Sequence, residues 1–114
     1  MKTYIKHIYN ALKNSLHGFK YSISEKALRI EILIGTIILP LSFYYIDNNI
    51  KLALLVICYF NILIVELLNT AIERTVDRIS YKKHILSKKA KDIGSAAVFL
   101  SIINAFAIFF IIFL

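Results

Sequence analysis

This 114-residue sequence has little of what soluble enzymes use for chemistry. It has one cysteine, one proline, three glycines and no tryptophan. One cysteine excludes a disulfide framework within the chain. Cys58 lies inside an apolar run and reads as a small buried hydrophobe. There is no Gly-rich phosphate loop, no Cys/His zinc spacing and no Ser-His-Asp arrangement. His7, His17 and His84 are scattered and do not suggest a metal set. Acids are also scarce, seven against fourteen lysines and arginines, which leaves a formal net charge of +7. No internal repeat or low-complexity tail is present.

What the chain does have is apolar surface. It is 59% hydrophobic with a mean hydropathy of +0.70, too apolar for an ordinary soluble domain of this size. Its length allows one domain, residues 1–114. The positive charge is segregated. Lys2, Lys6, Lys13, Lys20, Lys26 and Arg29 precede the first apolar run. Arg74, Arg78, Lys82, Lys83, Lys88, Lys89 and Lys91 lie between the later two, and only Lys51 lies in the remaining connection. This is the positive-inside pattern, with both basic segments in the cytoplasm. Anionic lipid head groups, not nucleic acid, are the expected partners of that charge.

The hydrophobic pattern predicts four helices. Ile5, Ile8, Tyr9, Leu12, Leu16, Phe19 and Ile23 recur at helical spacing, while Lys6, Lys13 and Lys20 repeat every seven residues on another face. Residues 3–22 are thus expected to form a basic amphipathic helix on the membrane surface. The segment is too polar to span and lacks the long apolar stretch of a signal peptide. A first span is expected over about 27–46, with Pro40 tolerated inside it. The cluster Asp47-Asn48-Asn49 predicts a turn. A second helix starts near Ile50, spans over about 50–75 and projects beyond the bilayer to about Ile79. Residues 80–91 read as a basic loop. The last span runs over 93–114 without a charge. Asp92 is expected in its first turn, where an acid suits the helix dipole. Gly94-Ser95-Ala96-Ala97 then forms a small-residue patch for close helix contact.

The second span carries an anomaly. Leu52 to Val65 contains no charge, and then Glu66, Asn69, Glu73 and Asp77 arrive at spacings of three, four and four. At roughly 100° per residue they share one stripe. A carboxylate facing lipid is costly, so the stripe must face protein, water or a metal. Glu25, Glu31, Glu66, Glu73, Asp77 and Asp92 all fall at or near the cytoplasmic interface, while Asp47 is alone on the outer side. Carboxylates beside a basic loop suit a cation and a phosphorylated ligand together, and Mg²⁺ favours carboxylates plus phosphate oxygens. Glu66 lies deepest in the apolar region, which suits a general base acting on an alcohol at the membrane surface. The plainer alternatives are Glu73 paired with Arg74 or a lysine, Asp77 and Arg78 as a solvated helix end, and Asn69 as a helix–helix hydrogen-bond residue.

The segment Val65-Glu66-Leu67-Leu68-Asn69-Thr70-Ala71-Ile72-Glu73, followed by Val76-Asp77 and by Ala90-Lys91-Asp92-Ile93-Gly94-Ser95-Ala96-Ala97-Val98, closely resembles the bacterial integral-membrane diacylglycerol kinases. The resemblance covers nearly the whole chain. It implies an all-α membrane protein, a homotrimeric bundle with composite sites between subunits, located in the bacterial inner membrane with the N-terminus cytoplasmic and the C-terminus outside. It implies transfer of the ATP γ-phosphate to a lipid alcohol with Mg²⁺. Glu66 matches the catalytic base, with Asn69 beside it. Glu25 and Glu73 match the acids holding the metal. The candidate ATP-binding residues are Lys6, Lys13, Glu25, Glu73, Lys83, His84, Lys91 and Asp92. Arg29, Glu31, Glu66 and Ser95 match the lipid site, and Asp77 matches a further site acid of open role.

The chain departs from the family pattern at Ile30, where well-known members carry Gln, in its lack of tryptophan, and in the basic pair Lys82-Lys83. Diacylglycerol is the expected substrate and undecaprenol the alternative within the family. A small oligomeric transporter or proton pathway is a further alternative. It would need polar groups continuing to the outer side, where Leu52 to Tyr59 and Phe99 to Leu114 supply only Cys58, Ser101 and Asn104.

Overall fold

The computed structural model describes all residues 1–114 and contains four helices and no strand. They are α1 (Lys2–Ser22), α2 (Lys26–Tyr45), α3 (Asn49–Ile79) and α4 (Ile85–Phe113). The last three are each long and apolar enough to cross a membrane. At 1.5 Å per residue α3 is roughly 46 Å long, well beyond a hydrocarbon core of about 30 Å. Its polar C-terminal turns therefore have length to spare.

The helix boundaries follow from local chemistry. Asn48 caps α3, its side-chain oxygen accepting from the amides of Ile50 and Lys51, each at 3.0 Å. Helix α2 continues through Pro40 to Tyr45. One boundary differs from expectation. Helix α4 begins at Ile85, so the supposed loop over 80–91 shrinks to residues 80–84. His84 caps it, Nδ1 accepting from the Leu86 amide at 3.1 Å. Lys91 and Asp92 thus lie inside the helix, and Asp92 does not sit in its first turn. The reason is that Ser87 to Lys91 are adequate helix residues whose lysines stay solvated. The change in charge marks where the apolar run begins, not where the helix begins.

Helix α3 is the centre, packed along its length on α4 and over a shorter seam on α2. Antiparallel links run along the α3–α4 seam. Lys51 Nζ donates to the Ile112 carbonyl at one end, 3.1 Å away, and neutralises the C-terminal dipole of α4. Asn104 Nδ2 contacts Cys58 Sγ at 3.9 Å in the middle. Asn69 lies against Gly94, and Lys91 bonds Asp77 at the far end. The buried residues of α2 are Leu28, Gly35 and Ser42, seven apart on one seam.

The interior holds polar side chains as often as apolar ones. The buried hydrophobic residues are Leu28, Leu55, Cys58, Val76 and Ile112, whereas Ser22, Ser42, Glu66, Asn69, Thr70 and Ser101 are buried and polar. Ile57, Phe60, Ile64 and Leu68 form an exposed stripe on α3, each at least half exposed. A water-soluble domain cannot be arranged this way, because its apolar side chains must be withdrawn from solvent. A chain solvated by hydrocarbon can. Every residue from Lys2 to Tyr21 is exposed, so α1 stands free of the other helices up to its last residue, the buried Ser22. The Cα extents of 49 × 46 × 21 Å place α1 out to the side, since three helices at 8–10 Å spacing fill only about half of the second dimension.

Lys51→Met removes a charged hydrogen bond to the end of α4 and is expected to lower unfolding free energy by about 1–2 kcal/mol, read as a lower midpoint in a denaturing-detergent titration. An unchanged midpoint would leave the α4 end without this anchor.

Candidate active site

Antiparallel packing brings the acids to one end. The N-terminus of α2, the C-terminus of α3 and the N-terminal turns of α4 meet there, carrying Glu25, Glu31, Glu66, Asn69, Glu73, Asp77, Lys91 and Asp92. Asp47 sits in the α2–α3 turn at the opposite end.

Glu66 is only 7% exposed and takes part in none of the chain's ion pairs, which are Glu25–Arg74, Asp92–Lys88 and Asp77–Lys91. It lies within electrostatic reach of Glu73 and Glu25, and Glu31 lies within reach of Glu66. Three carboxylates, Glu25 and Glu31 from the α2 side and Glu73 from α3, therefore gather around Glu66. Glu73, half-buried, also has no ion-pair partner, so pairing with Arg74 does not describe it. Its Oε1 accepts from Asn69 Nδ2 at 3.4 Å. Asn69 makes no side-chain hydrogen bond across the seam. Its Oδ1 is buried without a protein partner, as is Glu31 Oε2. Such oxygens are costly unless a donor reaches them.

The close approach of α4 explains how Asn69, one turn along from Glu66, is covered. A Cβ at Gly94 would collide with Asn69 Oδ1. Only the missing side chain lets the α4 backbone settle on the polar stripe. Ser95, one residue on, is exposed.

Cations form the rim. Lys91 Nζ is 2.6 Å from Asp77 Oδ1 and within electrostatic reach of Glu73. Asp77 is therefore a paired residue rather than a solvated helix end. Arg74 Nη2 donates to the Tyr21 carbonyl, Ser24 Oγ and Glu25 Oε1, all at 3.1 Å. It fastens the α1–α2 junction to α3 and places Glu25 at the site. Sequence reasoning had Arg74 only as a possible neighbour for Glu73. No local pattern indicates a bond to residues so far back in the chain.

The structure does not gather every candidate. Asp92 pairs with Lys88 on its own helix, on an exposed face. Arg29 and Lys83 are exposed, and His84 serves α4 as its cap. Lys6 and Lys13 are exposed on α1, roughly 22 and 12 Å along its axis from the Tyr21 junction. One chain alone does not bring them to Glu66.

Gly94→Ala is expected to destabilise the fold by about 1–3 kcal/mol through overpacking against Asn69. The neighbouring Ser95→Ala should stay within about 0.5 kcal/mol. Denaturant midpoints for the pair decide it, and equal midpoints would remove the Gly94 contact from the account.

Comparison with known proteins adds an independent line. The sequence profile of the prokaryotic diacylglycerol kinase family matches residues 13–113. A diacylglycerol kinase of Pseudomonas aeruginosa is 43% identical over 102 residues, covering 89% of this chain and 83% of the relative. One of Haemophilus influenzae is 39% identical over 101 residues, 88% and 86% of the two chains. One of Escherichia coli K12 is 41% identical over 83 residues, 73% and 68% of the two.

Proposed function

The chain belongs to the prokaryotic diacylglycerol kinase family and is a lipid kinase, and we propose that it transfers the γ-phosphate of MgATP to the primary hydroxyl of diacylglycerol at the Glu66 end of its helices. The observation that carries this reading is a buried carboxylate, free of ion pairs, at the end of an apolar helix beside further acids and a lysine. A lipid kinase must bring a hydroxyl from the hydrocarbon side and phosphates from the water side to one point. Glu66 lies where those phases meet.

Glu66 accepts the proton of the lipid hydroxyl as that oxygen attacks phosphorus. Glu31 and Asn69, each with a buried oxygen lacking a protein donor, line the approach of the alcohol. Phosphoryl transfer depends on positioning and charge neutralisation more than on covalent chemistry with the protein. Lys91, held by Asp77, supplies positive charge next to Glu73. The donor set fits Mg²⁺. The ion is bound through one or two carboxylates plus phosphate oxygens rather than by an all-protein cage, and no group of three potential ligands is gathered here. Glu73, free of ion pairs, and Glu25, at the site edge, would hold it, and it would neutralise the phosphates.

The remaining candidates are supported by what the single chain leaves open. Helix α1 exposes Ile5, Ile8, Tyr9, Leu12, Leu16 and Phe19, each more than half exposed. It lies in the membrane interface, with its lysines at the head groups. A homotrimer, in which α1 of one subunit reaches the site of the next, brings Lys6 and Lys13 to the nucleotide. Asp92, Lys83 and His84 complete the nucleotide side, and Arg29 and Ser95 the lipid side. The basic segments share one end of the bundle, which is cytoplasmic by the positive-inside rule. Undecaprenol kinase is not favoured, since the relatives described are diacylglycerol kinases. A through-pathway is not favoured either, because the seam beyond Glu31 is lined almost wholly by hydrocarbon.

The test is a phosphorylation assay of the purified protein in lipid with MgATP, run in parallel on diacylglycerol and undecaprenol. Phosphatidic acid as the dominant product is expected. Product from undecaprenol alone would reassign the substrate, and none from either would end the kinase reading. Glu66→Gln should cut turnover by at least roughly 10²-fold with trimer formation retained. Glu73→Gln should raise the Mg²⁺ concentration for half-maximal rate by about tenfold or more. An unchanged Mg²⁺ dependence would remove Glu73 as a ligand.

A further inference from the structure

The polar face of α3 extends deeper than the acids. Tyr59, Glu66 and Glu73 are seven residues apart and share one side of the helix. Tyr59 is half-buried, and its ring lies across Gly35 of α2. A Cβ at Gly35 would collide with the ring carbons and the hydroxyl. The phenol donates to the Glu31 carbonyl oxygen at 3.3 Å. It is the side-chain hydrogen bond that joins α2 to α3, since those of Arg74 reach Tyr21, Ser24 and Glu25, ahead of the first residue of α2.

This contact carries much of the α2 alignment. The α2–α3 seam is short beside that of α3 and α4, and its buried residues other than Leu28 are small, Gly35 and Ser42. Small residues leave the height and rotation of a helix weakly specified, whereas a ring seated in a glycine notch specifies both. Tyr59 holds the Glu31 backbone from the deep side. Side chains on a helix lean toward its N-terminus, so the Glu31 carboxyl leans away from Tyr59, toward the end where Glu66 lies. Glu31 and Tyr59 also form the polar end of a cavity of about 380 Å³ between α2, α3 and α4, whose other lining residues include Ile34, Leu55 and Phe106.

We propose that Tyr59 is a positioning residue for the lipid alcohol: seated on Gly35 and bonded to the Glu31 carbonyl, it fixes α2 against α3 and so holds Glu31 opposite Glu66. This rests on the lipid-kinase reading. It adds a residue that touches neither phosphate nor metal and acts through Glu31. The nucleotide side, built on Glu73, Asp77 and Lys91, does not depend on it.

The experiment is a double-variant cycle on the full-length protein in lipid, with rates per folded trimer. Gly35→Ala forces the ring out of its notch and should lower kcat/KM for diacylglycerol about tenfold, with KM for MgATP within about twofold of the parent. Tyr59→Val empties the notch and removes the bond, and should lower the same quantity several-fold. In the combined Gly35→Ala/Tyr59→Val chain two modest side chains share the space one ring held, and kcat/KM should recover to within about threefold of the parent. Tyr59→Phe keeps the ring in the notch and loses only the bond to the Glu31 carbonyl, and should lower the same quantity by less than Tyr59→Val does. Losses that simply add in the combined variant, a Gly35→Ala chain indistinguishable from the parent, or a KM for MgATP rising in step with that for lipid would each overturn the proposal. An inactive parent protein would instead overturn the kinase reading.

Discussion

The cost of an unpaired carboxylate inside an apolar helix is the constraint on which the other features depend. Glu66 cannot face hydrocarbon, and no cation of the chain pairs with it. The chain meets this by covering the residue with its own helices. Helix α4 approaches closely only because Gly94 lacks a side chain at the height of Asn69. Helix α2 approaches because Gly35 lacks one at the height of Tyr59. Two of the three glycines thus serve one purpose, to lay backbone over the polar face of α3. The inverted distribution of polarity follows, with serine, threonine, asparagine and glutamate inside and isoleucine, leucine and phenylalanine outside.

The same constraint orders the chemistry proposed for the site. A base that acts on a lipid hydroxyl must be at hydrocarbon depth, whereas a metal and phosphates need water. Along one stripe of α3 the residues change from Tyr59, bonded to a backbone carbonyl, through buried Glu66 to half-buried Glu73 and Asp77. The groups proposed to finish the site are tied in by polar contacts at the wet end, Glu25 by way of Arg74 and Lys91 by way of Asp77. Exposed ion pairs of this kind contribute little to stability. Here they set position, which is what phosphoryl transfer requires.

Much of this was legible in the sequence. Helices in hydrocarbon obey one dominant rule, that backbone polar groups bond within the helix. Apolar runs and the Asp47-Asn48-Asn49 turn therefore located α2, α3 and the C-terminal end of α4 to within a residue or two. The start of α4 was missed by eight residues, because charge composition reports where a helix leaves the membrane and not where it starts. The acidic stripe was visible because its spacing is local. Arg74 with Glu25, and Tyr59 with Gly35, were not, since each joins residues on different helices. The notch at Gly35 exists only against the ring that fills it. The family resemblance gave roles to Glu25 and Lys91 but no account of what holds them in place.

If Glu66 is retained for chemistry and not for stability, its charge weakens the fold it sits in. The most direct measurement is the equilibrium unfolding free energy of Glu66→Gln against the parent protein in the same lipid–detergent mixture. Replacing an unpaired buried carboxylate with a neutral side chain of the same shape should leave the protein at least as stable as the parent. A loss of several kcal/mol, the signature of a broken buried polar pair, would contradict the account and make Glu66 a structural residue.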